Sequence, residues 1–144
     1  MAALAELQRS VVDDESTAPV PLRTVVDVVA GARAAGLTVE WGADDGVTDV
    51  HPAAYRLVQE ALTNVFRHAP GAAARVTLRR AGDRLEVEVH NSAPPSPARS
   101  DLPGGSGLAG LGRRVEQCGG RLAWGAQADG GFTVSADFPA AVRA

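Results

Sequence analysis

The chain contains no lysine, and all fourteen of its basic residues are arginines. A Walker-type phosphate loop requires a Gly-Lys-Ser/Thr step, and a protein-kinase fold requires a lysine on one of its strands. The absence of lysine therefore excludes both of these nucleotide-binding architectures. Any nucleotide site in this protein has to be built in another way.

Other scarcities narrow the class of protein further. The single cysteine, Cys118, excludes an internal disulfide and is typical of a reducing compartment. It falls on the apolar face of a predicted helix, which favours a buried structural thiol over a reactive one. The net charge of −3 gives no excess of positive charge for binding nucleic acid or a membrane surface. No apolar run approaches the ~20 residues of a membrane span, and no signal peptide opens the chain.

What is present is enough for one α/β domain, since 144 residues with 45% hydrophobic content can bury a single core. Hydrophobic periodicity and turn residues predict the order of elements. The predicted elements are a helix over 22–35, a strand over 37–41, a helix over 52–69, paired strands over 74–80 and 84–91, a helix over 107–118, and paired strands over 121–127 and 132–138. Residues 92–106 contain four prolines without periodicity, which predicts a functional loop.

The longest uninterrupted helical pattern follows Pro52, a residue that suits the first turn of a helix. Thr48, Asp49 or His51 could cap it. No glycine or proline interrupts the next four turns, and Pro70-Gly71 then ends the run. Apolar side chains recur in it at three- and four-residue steps, which predicts a face packed on the core.

A second stripe of the same helix is polar and carries Glu60, Asn64 and Arg67 or His68 one turn apart. Such a stripe is either a solvated helix face or the floor of a pocket. In a pocket, Asn64 could offer its side-chain oxygen to a magnesium ion and Glu60 could offer a carboxylate. Arg67 or His68 could then bring positive charge to a phosphate.

A glycine cluster over residues 103–114 runs straight into the next predicted helix. Gly110 and Gly112 lie inside that helix, where each costs roughly 1 kcal/mol relative to alanine. Close approach of another backbone or of a ligand is the usual reason for such a cost. The helix N-terminus also presents unpaired N–H groups, which are a ready site for phosphate.

Three motifs together resemble one family. Gln59-Glu-Ala-Leu-Thr-Asn-Val-Phe-Arg-His-Ala69 resembles the N-box of the histidine-kinase and gyrase-type ATP-binding domains. Gly105-Ser-Gly-Leu-Ala-Gly-Leu-Gly-Arg-Arg-Val115, with the turn at Gly119-Gly120, resembles their second glycine box, and Gly131-Phe-Thr133 resembles their closing Gly-x-Thr. The residue sequences of these motifs are similar to those of two-component sensor kinases whose response regulators carry a helix-turn-helix output domain.

The resemblance covers nearly the whole chain from Leu22 onward and implies a Bergerat-type ATP-binding fold. This fold is an α/β (α+β) two-layer sandwich, with a mixed, mostly antiparallel sheet of about five strands and three helices on one face. Residues 1–14 would be the tail of a truncated dimerisation helix, 15–21 a linker, and 22–144 the ATP-binding catalytic domain.

The resemblance also implies ATP and Mg²⁺ as ligands. Asn64 would ligate the magnesium ion, Glu60 would be the catalytic carboxylate, and Arg67 and His68 would lie near phosphate. The other residues expected to contact the nucleotide are Asn91, Ala93, Gly105, Ser106, Gly107, Leu108, Gly110 and Thr133. This arrangement suits phosphoryl transfer, in which catalysis is mostly positioning and charge neutralisation.

One segment departs from the family pattern. The family carries an Asp-x-Gly-x-Gly box after the strand that ends here near Val89, and its aspartate accepts a hydrogen bond from the adenine amino group. This chain has Asn91 at that place, a neutral and therefore weaker acceptor. Ala93 and Pro95 replace two glycines, and proline also removes an N–H donor. We expect the affinity for nucleotide to be reduced.

The three histidines do not stand where a phosphoacceptor is expected. His51 precedes the central helix, His68 ends its polar stripe, and His90 lies in a strand. The isolated chain is therefore not expected to phosphorylate itself. Its expected partners are the dimerisation and phosphoacceptor helices of its own full-length protein and a response regulator, without nucleic acid or membrane contact. The expected location is the cytoplasm, whether or not a membrane anchors the full-length kinase.

Two alternatives to a kinase domain of this kind stay open. A degenerate module would keep the fold and serve as a regulatory or protein-interaction surface, and residues 91–95 favour it. An anti-sigma-factor-like serine kinase belongs to the same superfamily, but a helix tail at the beginning of the chain argues against it. Intact Glu60 and Asn64 favour the histidine kinase.

Overall fold

The computed structural model describes residues 18–95 and 105–139, so the predicted helix tail over 1–14 lies outside the described residues. The helices are α1 (Leu22–Ala34), α2 (Pro52–His68) and α3 (Gly105–Gln117). The strands are β1 (Val20–Pro21), β2 (Thr38–Ala43), β3 (Asp49–Val50), β4 (Ala73–Ala81), β5 (Arg84–Asn91), β6 (Arg121–Ala126) and β7 (Phe132–Pro139). The predicted order of helices and longer strands is confirmed.

Five strands form the main sheet in the order β2-β4-β5-β7-β6. β2 and β4 are parallel, and the other neighbouring pairs are antiparallel. A parallel pair needs a long crossover, which α2 supplies between these two strands. The three helices cover one face of this sheet, so the predicted two-layer fold with a mixed sheet is confirmed.

The sheet separates a buried face from a polar one. In β4 and β5, alternate residues point toward the helices and are buried. They are Val76, Leu78, Leu85, Val87 and Val89, as the sequence predicts. The residues between them face away from the helices, and Arg79 and Glu86 form an exposed ion pair there with 2.9 Å between Nη2 and Oε1.

A second, two-stranded sheet was not predicted. Val20 pairs with Val50 in an antiparallel bridge, and Val20 is buried. The N–H of Leu22 also donates to the carbonyl oxygen of Thr48 at 2.9 Å. Strands of two residues are too short to show an alternating pattern, which is why residues up to 21 read as linker in the sequence.

α2 begins at a histidine cap. The Nδ1 atom of His51 accepts a hydrogen bond from the N–H of Ala53 at 3.0 Å, and Pro52 occupies the first turn. Of the three predicted capping residues, His51 is therefore the one used. Most of the following side chains are buried, because α2 packs against the sheet, α1 and α3.

Candidate functional site

The polar stripe of α2 faces α3. The buried stripe of Tyr55, Val58, Leu62 and Val65 fixes the rotation of the helix on the sheet. Glu60 is then turned toward the beginning of α3 rather than toward open solvent, and Arg56, one turn before it, lines a cleft together with Gly107. Of the residues predicted to floor a pocket, Glu60 lines this cleft, whereas Asn64, Arg67 and His68 are not among its lining residues.

The contact between the two elements is made by Glu60 and Gly107. A β-carbon built on Gly107 would lie 2.5 Å from the Oε2 atom of Glu60 and 3.0 Å from its Cδ. No other amino acid could stand at this position without displacing the carboxylate. The two motifs, which are more than forty residues apart in the sequence, therefore meet at one point.

Asn64 lies one turn beyond Glu60, about 6 Å further along the helix axis. It is only 8% exposed. Its Nδ2 atom has no hydrogen-bond partner among residues 18–95 and 105–139. A buried amide without a partner costs free energy. Such an amide is suited to a ligand that supplies the missing partner.

His68 lies one turn beyond Asn64, at the end of α2. Its Nδ1 atom is likewise buried and unpartnered within the described part of the chain. The neighbouring Arg67 is exposed. Two polar atoms on one stripe, those of Asn64 and His68, are thus buried and free to meet a ligand.

A cleft of about 350 Å³ opens between α2 and α3 next to Glu60. Its lining includes three arginines, Arg56 from α2 and Arg113 and Arg114 from α3. Sequence reasoning missed all three as site residues. The available signal was the one-turn spacing from Arg56 to Glu60 on the same stripe.

Gln59 and Tyr55 brace the wall of this cleft. The amide nitrogen of Gln59, a buried residue, donates to the hydroxyl oxygen of Tyr55 at 3.1 Å. Burial also raises the pKa of the Tyr55 hydroxyl above its ordinary value, so the group stays protonated. This buried pair holds α2 at the level of the cleft without adding charge.

Asn91 ends the inward face of β5 and is only 7% exposed. Its Nδ2 donates to the carbonyl oxygen of Ser92 at 2.9 Å, which leaves Oδ1 as the acceptor that the family aspartate would provide. Ala93 follows, exposed, beside Gly130, and Pro95 packs against Gly71. The segment that departs from the family pattern therefore runs past the C-terminal end of α2.

Thr133 is not brought to the cleft. It alternates with the buried Val134 on β7 and so lies on the face of the sheet turned away from the helices. Its Oγ1 lies 2.9 Å from Nδ1 of His90 on the neighbouring strand. The strand alternation, read from the sequence, already gives this orientation.

The glycines of α3 do not all behave as expected. At Gly110 and Gly112 a β-carbon would meet nothing closer than 3.8 Å and 3.5 Å among the described residues. Among the described residues no backbone approaches these two glycines closely, and the close approach of a side chain occurs at Gly107. Leu108 is fully buried in the core. Gly105 and Ser106 form the first turn of α3.

The donor set fits ATP with a magnesium ion shared between protein and phosphates. The described residues contain no group of three histidine, cysteine or acidic side chains able to hold a metal by themselves. Mg²⁺ is usually bound through one or two protein oxygens together with substrate phosphates. The side-chain oxygen of Asn64 would supply one such ligand, one helical turn from the carboxylate of Glu60. No helix in the described part of the chain is long and apolar enough to cross a membrane.

Comparison with known proteins identifies the family. Residues 49–142 match the family of histidine kinase-, DNA gyrase B- and HSP90-like ATPases. Over 108 residues, the chain is 32% identical to the sensor histidine kinase LnrJ of Bacillus subtilis (strain 168). The matched region covers 72% of this chain and 26% of that protein. The chain thus spans about a quarter of the length of this relative.

Solved structures of histidine kinases share the fold. The histidine kinase domain of the E. coli osmosensor EnvZ has a TM-score of 0.64 at 22% identity, over 93% of this chain and 95% of that one. The histidine kinase ThkA has been solved in complex with the response regulator protein TrrA. This structure has a TM-score of 0.64 at 15% identity, and the match covers 87% of this chain and 42% of that one. The chain belongs to the histidine kinase-, DNA gyrase B- and HSP90-like ATPase family, as an ATP-binding catalytic domain of the histidine-kinase type.

Proposed function

We propose that this domain positions Mg-ATP for transfer of its terminal phosphoryl group to a histidine on the dimerisation helices of a sensor histidine kinase. The observation that carries the proposal is the contact between Glu60 and Gly107, with the buried, unpartnered Asn64 one turn away. Phosphoryl transfer needs positioned ligands and compensated charge more than covalent chemistry from the protein. This stripe of side chains supports both requirements.

Each side chain has a role that follows from its place. The side-chain oxygen of Asn64 would hold the magnesium ion, which neutralises charge on the phosphates. The Glu60 carboxylate would accept a hydrogen bond from the attacking imidazole and so orient it. His68 and Arg67 would lie near the phosphates on the base side of Asn64, and the backbone N–H groups of the first turn of α3 would face the phosphates beside Glu60. Asn91 would accept a hydrogen bond from adenine.

The partner that takes the phosphoryl group from the histidine would be a response regulator. The structure of ThkA with the response regulator protein TrrA supports this class of partner. The residue sequences of the N-box and of the second glycine box support a response regulator that carries a helix-turn-helix output domain. The phosphoacceptor helices would belong to the longer kinase, the response regulator would be a separate protein, and the domain would act in the cytoplasm.

Calorimetric titration of Mg-ATP into the chain tests the proposal, with the Asn64→Ala variant as the sharpest comparison. We expect the wild-type chain to bind and Asn64→Ala to lose magnesium-dependent binding. The free energy of unfolding should change by no more than ~1 kcal/mol, because the amide removed has an unsatisfied buried nitrogen. Gln127→Ala is the matched control, since this amide is exposed on the turn after β6.

A degenerate module is the second candidate, and the segment after β5 favours it. Pro95 packs against Gly71 where the family has a glycine, and Asn91 offers only a neutral acceptor. This candidate predicts no heat from millimolar Mg-ATP while the chain remains folded. Equal affinity of wild type and Asn64→Ala for Mg-ATP would instead remove the magnesium role of Asn64.

A further inference from the structure

The orientation of a bound nucleotide along α2 is inferred from the residues at the two ends of the site. Asn91 pairs with Ala74 just after α2, and Pro95 touches Gly71. The base-accepting end of the site therefore lies at the C-terminal end of α2. From there toward the N-terminal end of α2, the order is Asn64, then Glu60, then the cleft between α2 and α3. This cleft, lined by Arg56, Arg113 and Arg114, is called the arginine cleft.

The spacing places the arginines beyond the carboxylate. Arg56 precedes Asn64 by eight residues, about 12 Å along the helix axis. Glu60 lies halfway between them. A nucleotide whose base is held near Asn91 and whose metal is held at Asn64 would direct its terminal phosphate toward Glu60 and Arg56.

The cleft at that end carries an excess of positive charge. Among the residues that the structure describes, three guanidinium groups and the carboxylate of Glu60 are the charged groups that line it. An anion with two or more charges suits this balance better than a neutral group does. Guanidinium groups bind phosphate through paired hydrogen bonds and stay protonated at every physiological pH.

Arg113 is the arginine best placed to respond to a ligand. It is exposed, and its Nη2 atom lies 3.8 Å from the position of a β-carbon on Gly110, so the guanidinium bends back over the glycine toward the cleft. It forms no ion pair with residues 18–95 or 105–139.

We propose that Arg113, together with Arg56 and Arg114, binds the terminal phosphate of ATP and makes the domain prefer ATP over ADP. This inference rests on the proposed nucleotide function. It assigns a role in nucleotide discrimination to three arginines that are not among the nucleotide-contacting residues expected from the sequence. Loss of the terminal phosphate would remove the anion that the cleft accommodates.

The test measures the dissociation constants of Mg-ATP and Mg-ADP by calorimetry for the wild type, Arg113→Gln and Arg113→Lys. We expect Arg113→Gln to weaken ATP binding about tenfold, the loss typical of one hydrogen bond to a charged group, and to leave ADP binding unchanged. Arg113→Lys should recover part of the loss, because it restores the charge but not the paired geometry. Arg121→Gln is the control, since Arg121 is an exposed arginine paired with Asp137 in the β6–β7 register, on the outer face of the sheet.

The outcomes separate this inference from the proposed function. If wild type binds both nucleotides and Arg113→Gln changes neither constant, the inference is wrong and the function stands. Equal losses for ATP and ADP would also overturn it, because they would place Arg113 against the part of the nucleotide that both share. If the wild type binds neither nucleotide, the proposed function itself fails.

Discussion

At the scale of single residues, the contact between Glu60 and Gly107 is the most constrained point of the site. The glycine has no side chain, and the carboxylate occupies the space that one would fill. The atom in conflict is the far end of a flexible side chain, so a larger residue would displace the carboxylate rather than unfold the chain. Function and stability can therefore be separated at this position.

We predict that Gly107→Ala lowers the affinity for Mg-ATP while leaving the free energy of unfolding within ~1 kcal/mol of the wild type. The methyl group would push the Glu60 carboxylate away from the beginning of α3 and narrow the phosphate end of the site. Calorimetry gives the affinity, and thermal or urea unfolding gives the stability.

Gly112→Ala is the matched control in the same helix. Its new β-carbon would make only an ordinary contact with Leu122 at 3.5 Å. We expect it to stabilise the chain by up to about 1 kcal/mol, as alanine does in a helix interior, with unchanged nucleotide affinity. Equal nucleotide affinity in both variants would mean that the Glu60–Gly107 contact has no part in binding.

At the scale of elements, α2 depends on an unusual N-terminal cap. His51 accepts the N–H of Ala53 through Nδ1, and its ring stacks on Phe138 with 5.9 Å between centroids. Only an unprotonated Nδ1 can accept this bond. Burial also lowers the pKa of His51 below its ordinary value, which favours the neutral ring in the folded chain.

The stability of the domain should therefore fall on mild acidification. The unfolded chain takes up a proton at His51 near its ordinary pKa of about 6.5, whereas the folded chain does so only at lower pH. The contribution of His51 is complete above about pH 6.5 and is lost as the pH falls through the lower folded pKa. The melting temperature measured between pH 8 and pH 5 should show this decline.

His51→Asn provides the comparison for the acid effect, because asparagine caps helices without titrating. This variant should show a smaller decline of melting temperature in the same pH window. The other histidines, His68 and His90, are present in both proteins and their contributions cancel in the difference. Identical pH profiles would show that the cap does not titrate with folding.

The elements themselves were largely predictable because their signals are local. Helix periodicity, the glycine turns and the strand alternation predicted three helices and the longer strands to within a few residues. The parallel pairing of β2 with β4 was not predictable in detail, since it depends on where α2 folds back. The two-residue strands β1 and β3 gave no pattern to read.

The site was predictable only in part, because only some of its residues lie close together in the sequence. Glu60 and Asn64 share one helix, so their spacing is visible in the sequence. The partner of Glu60 depends on how α3 packs on α2, and the motif suggested Gly110 and Gly112 before Gly107. Arg56, Arg113 and Arg114 come from two separate helices and converge only after folding.

At the scale of the whole molecule, we predict that the chain does not phosphorylate itself. The Nδ1 atom of His51 caps α2, that of His68 is buried, and that of His90 lies 2.9 Å from Thr133 Oγ1 on the outer face of the sheet. None of these rings lies in the arginine cleft. Incubation with γ-labelled ATP and magnesium should give no acid-labile phosphate on the chain.

A chain carrying a phosphoacceptor helix serves as the positive control for this experiment. We expect the domain to label a histidine on such a helix when the two are mixed at high concentration. Acid-labile phosphate on the isolated chain would contradict the structural roles assigned to its three histidines. The labelled residue could then be located by replacing each histidine in turn.

The burial of α2 against the sheet has a consequence for signalling. Because the helix that carries Asn64 and Glu60 is anchored to the sheet by buried side chains along its whole length, its internal geometry resists small forces. We expect a stimulus received elsewhere in a longer protein to move this domain as a rigid body. Regulation would then act on the distance and angle between donor and acceptor, while the donor stays preassembled.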